Sequence, residues 1–393
     1  MPSGLLGKLD EGINNDESVL FYPSLGALPH QDASCRVEVR GRITEERQLV
    51  SLTGAALGLA GVVSTDALGA HLQGAPQGSA AQLFRERAMQ FLLDGEDGEL
   101  FDIAIAGMTV KSHASDRQGF LGFLKPWFTV PATDLGTSAA GSADHWVTYS
   151  ATGKKGRTFE GKSLLLRKQG VIVVSDIDDT IKDTNVPETD ELIRNTLFRP
   201  FRHTPGMPET YKAWADGGAA FVYLTNSPYQ LYGPLQRYLQ GEKHYPEGAY
   251  YMRSVGKDDL RNTIVKLLAI DGDVAIEENP KKHNLIPILE AFPGRRFILV
   301  GDSTELDADI YADLYQGKRF PRGFRAPPNG YADRIAKIYI RDVKSSKKRK
   351  EADDAIRRIN NPDVARFFDS NRPDILSDGL TVVTSDRGRG TTR

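Results

Sequence analysis

Val171-Ile172-Val173-Val174-Ser175-Asp176-Ile177-Asp178-Asp179-Thr180 decides how the rest of the chain is understood. Four consecutive β-branched residues suit a strand buried on both faces, as in a parallel sheet. The carboxylates begin where that strand would end, at the rim where open α/β sheets bind their ligands. Three acids within four residues repel one another, and a hard Mg2+ ion with oxygen ligands is the natural compensation. In an extended turn Asp176 and Asp178 face one site, one placed to attack and the other to exchange a proton. An EF-hand register from Asp176 fails, because it needs glycine where Ile181 stands. A solvated acidic loop is the bland alternative.

Further along, apolar strands alternate with helical patterns: FVYLT (221–225), GPLQRYLQ (233–240), DDLRNTIVKLLAI (258–270), KKHNLIPILEAF (281–292), FILVGDS (297–303) and AKIYIRDV (336–343). This alternation predicts a parallel sheet with helices on both faces. Thr225-Asn226 ends one strand and offers a hydroxyl and an amide to a phosphate oxygen; a plain strand-end cap is the competing role. Gly301-Asp302-Ser303-Thr304-Glu305-Leu306-Asp307 follows another, with Asp302 placed to complete the metal shell. Asp307 serves equally as a helix cap. Lys281-Lys282 opens a helix pattern, and a lysine there neutralises both a nucleophile and phosphoryl oxygens.

In order, D-x-D-x-T, hydrophobic-T-N, Lys and G-D-S-x-x-x-D resemble the four-part signature of the haloacid dehalogenase superfamily of aspartate-nucleophile phosphatases. SDIDDTIKDTNV, LTNSPYQLY, FPGRRFILVGDS through DADIYADLY, and AKIYIRDV resemble more narrowly the actin-patch phosphatidate phosphatase family, over most of residues 170–343. The resemblance implies Asp176 as nucleophile, Asp178 as acid/base, Thr225 as phosphate hydroxyl and Lys281 as charge stabiliser. It implies Mg2+ on Asp176, Asp178 and Asp302, with Asp307 nearby, and phosphatidate cleaved to diacylglycerol. Thr304 stands where such relatives have glycine, which implies a changed loop. Arg253 matches a family-like stretch and is a candidate for a second substrate group, or a surface salt-bridge residue.

Upstream, SCRVEVRGRI (34–43) alternates with the period of a half-buried strand, and short runs at Leu100–Val110 and His145–Ser150 continue the pattern around a turn at 115–119. AAQLFRERAMQFLLD (80–94) suits a helix with one apolar face. Gly156–Ser163 satisfies the P-loop pattern GxxxxGK[ST], but only Leu164–Gln169 separate it from the next strand, too short for the phosphate-binding helix; Lys162 is then a solvated turn residue. The uncharged run Leu49–Thr65 spans 17 residues and falls short of a membrane span. A packed helix or Gly-rich hairpin and an interfacial element remain the choices there.

The fold class expected is α/β: a Rossmann-like haloacid dehalogenase domain at 166–345, preceded by a smaller antiparallel β-sandwich at 30–165. A tail at 1–29 and a basic, helical tail at 346–393 complete the organisation. With 50 Lys+Arg against 52 Asp+Glu, the formal charge of −2 disfavours nucleic acid as partner. A single cysteine, Cys35, excludes an intrachain disulfide. No signal-peptide pattern opens the chain, so a cytoplasmic protein is expected, with peripheral contact to membrane lipid open to it: the basic run Lys344–Lys350 is a solvated tail or, alternatively, meets anionic head groups, nuclear targeting being a third role. The alternatives are a phosphatase of a soluble or protein phosphomonoester, and a lipid- or cytoskeleton-binding adaptor.

Overall fold

The computed structural model describes residues 13–27, 34–45, 79–92, 94–95, 100–113, 123–132, 135, 143–254, 275–343, 348–369 and 376–387. The run Leu49–Thr65, the helical pattern 258–270 and the turn 115–119 lie outside the described residues. The chain divides into two compact units, one of residues 1–50, 92–167 and 254–259, the other of 51–91, 168–253 and 260–393.

The first unit carries β1 (Glu17–Tyr22), β2 (Ser24–Ala27), β3 (Ser34–Glu38), β4 (Arg40–Glu45), β5 (Asp94–Gly95), β6 (Leu100–Ile105), β7 (Met108–His113), β8 (Phe123–Leu124), β9 (Trp127–Pro131), β10 (His145–Thr152) and β11 (Thr158–Leu166). Seven form a sheet in the order β7-β6-β10-β11-β2-β3-β9, antiparallel except for β11 on β2. A smaller antiparallel sheet runs β1-β4-β5, with β8 on β4. Val19, Phe21 and Ile43 of the small sheet share a buried cluster with Cys35, Val37, Phe101 and Ile103 of the large one. The tail expected at 1–29 is therefore corrected over β1 and β2: Ser18-Val19-Leu20-Phe21 alternates, and Val19 and Phe21 are buried. The GKS stretch lies inside β11, so the pattern has no phosphate-binding helix. Lys162 is corrected from turn to strand, its ammonium 4.5 Å from the Trp146 ring.

The second unit is built on a parallel sheet of β12 (Gly170–Ser175), β13 (Ala220–Pro228), β14 (Ala249–Arg253), β15 (Arg295–Asp302), β16 (Ile335–Arg341) and β17 (Ala365–Phe368), in the order β14-β13-β12-β15-β16-β17. Every residue of β12 and β13 is buried, which is why these sequences are continuously apolar instead of alternating. The order seats β12 between β13 and β15, with Ser175 level with Tyr223 and Val300. Three neighbouring strand ends thus deliver Asp176, Thr225 and Asp302 to one rim.

Helices of this unit are α1 (Ala80–Leu92), α2 (Met207–Asp216), α3 (Pro280–Ala291), α4 (Asp307–Gln316), α5 (Arg349–Ile359) and α6 (Ser377–Arg387). Although expected within the 30–165 domain, α1 packs with this unit. The tail expected at 346–393 is corrected too: β17 pairs with β16, and α6 carries Asp378, which accepts a hydrogen bond from Tyr339 and pairs with Lys337 at 2.5 Å. Ala365–Phe368 is apolar at both ends and extends the sheet edge, a signal too short to distinguish from a tail in sequence.

Candidate active site

The chain leaves β12 at Asp176, whose backbone N–H donates to Val300 O at 2.9 Å, and then turns sharply. Asp179, at φ 54°, holds that turn: its carboxylate accepts from the backbone of Thr184, Asn185 and Val186 at 2.8, 2.7 and 2.7 Å. The third acid of the motif is thereby occupied with loop geometry.

Asp176 is fully buried. Its Oδ2 accepts from the Thr180 hydroxyl at 2.9 Å, and Thr180 also reaches Asp302 at 3.2 Å. Its Oδ1 lies 2.8 Å from Lys281 Nζ but outside hydrogen-bond alignment, so this oxygen has no hydrogen-bond donor. Lys281 reaches Glu305 at 2.8 Å and Asp307 at 2.6 Å as well. It stands in the first turn of α3, which Asn279 caps by accepting from Lys281 N at 2.9 Å and which Pro280 opens. Lys282 points elsewhere, to Asp313 at 2.6 Å and Arg319 O at 2.8 Å. Of the two lysines, Lys281 is the one that lies beside Asp176.

Asp307 opens α4 without capping it: Leu306 is the N-cap residue, and the Asp307 carboxylate turns back to Lys281 and, at 3.4 Å, to the Asp302 N–H. Gly301 makes this possible, since a Cβ there would stand 2.5 Å from Asp307 Oδ2. Thr304, the departure from the glycine of the resembling family, donates from its hydroxyl to Asp302 Oδ1, so the added side chain braces the acid.

Asp178 sits apart. It pairs with Lys182 at 2.7 Å and accepts from the hydroxyls of Ser227, Thr184 and Thr225 at 2.7, 2.8 and 3.2 Å. Burial alone would push its pKa up, but Lys182 and these donors outweigh it and hold it at about 2. Burial pushes Asp176, Asp302 and Asp307 up and Lys281 opposes it, while nearby acids add to the rise: Asp307, Glu305 and Asp302 at Asp176, Glu305 and Asp179 at Asp302, and Asp302 at Asp307. Lys281 stays charged because Asp176, Asp307 and Glu305 outweigh its burial.

One oxygen from each of Asp176, Asp302 and Asp307 falls within 4.8 Å of the others. Four buried acids, counting Glu305, face the single ammonium of Lys281, and Asp176 Oδ1 lacks a donor. An all-oxygen set with excess negative charge fits a hard divalent cation. The triad brings in Asp307 and leaves out the Asp178 carboxylate, which the sequence had placed on the metal. Arg253 closes β14, level with Pro228 of β13. Lys182, Glu305 and Ser227 were missed, although Lys182 lies four residues after Asp178 and Glu305 lies inside the quoted Gly301–Asp307 run.

Residues 171–342 match the family model described as phosphatidate phosphatase APP1, catalytic domain. This segment is similar to the APP1-type catalytic domain. Phosphatidate phosphatase APP1 of Saccharomyces cerevisiae is 30% identical over 181 residues, which are 45% of this chain and 27% of that protein. An uncharacterized protein of Schizosaccharomyces pombe is 27% identical over 184 residues, 46% of this chain and 26% of that protein. The chain thus matches about a quarter of the length of each relative. The APP1-type segment holds Asp176, Asp178, Thr225, Lys281, Asp302 and Asp307, while β17, α5, α6 and α1 lie outside it.

Proposed function

We propose that the chain is a phosphoric monoester hydrolase of the haloacid dehalogenase type, a Mg2+-dependent phosphatidate phosphatase releasing diacylglycerol and phosphate. A β-sandwich at 30–165 would precede the catalytic domain at 166–345. The observation that carries this is the buried constellation of Asp176, Thr180, Lys281, Asp302 and Asp307 at the carboxyl ends of β12 and β15.

Asp176 and Asp302, with Asp307, would hold the metal, which supplies positive charge beside the transferring phosphoryl group. Asp176 attacks phosphorus, the phosphorus–alkoxide bond breaks, and Asp178 gives the departing alkoxide of diacylglycerol a proton. Asp178 then takes a proton from water, which attacks the aspartyl-phosphate, freeing phosphate and restoring the Asp176 carboxylate. The low pKa of Asp178 leaves it ionised, the form that the second half of this cycle starts from. For the first half it must arrive protonated, and an incoming phosphate dianion raises its proton affinity by like-charge repulsion. Thr225 and Asn226 cradle phosphate oxygens, and Lys281 offsets their charge.

No helix among the described residues is long and apolar enough to cross a membrane, so contact with lipid would be peripheral. A cytoplasmic location is part of the same proposal. The test is turnover by purified protein of phosphatidate in mixed micelles, lysophosphatidate, a nucleotide and a phosphopeptide, with and without Mg2+. Phosphatidate is expected to be hydrolysed fastest, only with metal, and Asp176→Asn to reduce every rate to background with the fold retained. A faster soluble substrate would replace the lipid, and full activity in excess chelator would remove the metal.

A further inference from the structure

Two side chains from outside the APP1-type segment, Phe84 and Arg87, pack against residues 196–201 inside it. Arg87 of α1 is 5% exposed and donates from one nitrogen to Thr196 O at 2.7 Å and Arg199 O at 2.8 Å. Its guanidinium carbon lies 3.7 Å from the centre of the Phe201 ring. Lys182 Nζ lies 5.0 Å from the centre of the same ring and 2.7 Å from Asp178. One aromatic ring is therefore shared by two cations, the second of which holds the proposed acid/base.

The backbone ties the same parts together. Asp183 N donates to Arg202 O at 2.8 Å, and Lys182 bridges to His203, so Phe201 cannot shift without moving the strand-like stretch that carries Lys182. Phe84, one turn before Arg87, stacks on Phe198 at 4.8 Å with the rings 7° from parallel. Burial lowers the Arg87 pKa to about 10, so it remains a cation at neutral pH and bears a desolvation penalty that an apolar residue would avoid.

We propose that Arg87 is a positioning residue for Asp178, acting through Phe201 and Lys182, so that α1 completes the catalytic centre from outside the APP1-type segment. This rests on the phosphatase activity proposed above. Arg87 touches no reacting atom; it fixes the loop 196–201 and with it the ammonium that orients Asp178.

The test is a double-mutant cycle of Arg87→Met and Lys182→Met in the full chain, read as kcat, as inhibition by inorganic phosphate, and as Tm. Arg87→Met is expected to lower kcat about tenfold, with inhibition by inorganic phosphate unchanged because Thr225 and Lys281 are untouched. The double variant should fall no further than Lys182→Met, within about twofold, and Arg87→Lys, which keeps a cation on Phe201, should recover part of the rate. Multiplying losses, or an unchanged kcat in folded Arg87→Met, would overturn the proposal. Should Arg87→Met fail to fold, Phe201→Leu enters the same cycle with the same expectations. A wild-type chain that turns over no phosphomonoester overturns the phosphatase itself, and the role of Arg87 with it.

Discussion

Lys281 faces Asp176, Glu305 and Asp307 at once, so the acids around it hold more negative charge than one ammonium can offset. Without metal, protons make up the difference: burial raises Asp302 to about 7 and Asp307 to about 6. Unfolded, such carboxyls titrate at about 4, so between that value and about 7 the folded chain binds more protons than the unfolded one. Stability then falls as pH rises through this window. The Tm of metal-free protein should therefore drop between about pH 4 and about pH 7, and Mg2+ should flatten the trend by taking the place of the protons. Asp178, at about 2, works in the opposite direction but only below the unfolded value, outside this window. Thermal melts in chelator and in Mg2+ check this; a Tm that climbs with pH in chelator would rule out proton sharing among the three acids. Asp176, Asp302 and Lys281 were legible because their residue types and order are local signals. Lys182 and Arg87 were not, since their partners are set by loop 183–206 and by a contact 109 residues away in sequence.

Strand β15 passes into α4 through Gly301, and close packing at that junction brings Asp307 back to Lys281. Gly301→Ala should push Asp307 away at a cost of about 1–3 kcal/mol, as overpacking does. Both Tm and the Mg2+ affinity read by calorimetry are expected to fall, and wild-type values for both would show that the helix start can shift without harm. The parallel sheet itself was readable because VIVV, FVYL and FILV are continuously apolar and separated by helical periods. Elements at the margins were harder. β5 and β8 have two residues each, and the pattern at 100–110 conceals a hairpin that reverses at Ala106-Gly107, both at positive φ. α5 was legible from its alternation of acids, bases and apolar residues, but nothing local told that it and β17 belong to the body of the second unit.

For membrane contact, the basic run must be divided between structure and surface. Arg349 pairs with Asp342 at 2.7 Å and stands 3.7 Å from the centre of the Phe367 ring, so its charge is engaged within the protein. Replacing Lys344, Lys347 and Lys350 by Gln should then weaken sedimentation with phosphatidate-rich liposomes, each cation contributing about 1 kcal/mol at such a surface. Salt should weaken the wild type in the same way, and neutral liposomes should discriminate little. Binding unchanged by the triple replacement would move the contact to another part of the chain.

The dependence of the acid/base pocket on α1 also has a consequence for the order in which the protein is made. During synthesis α1 leaves the ribosome long before residues 196–201 exist, and Phe84, buried in the finished protein, waits for the Phe198 ring on which it stacks. β17 arrives later still, after every acid of the site has been translated. The nascent chain thus passes through a stage in which every acid of the candidate site is present and the sheet edge that flanks β16 is open. Chaperone capture would be concentrated in that stage, and so would the harm done by a pause in translation.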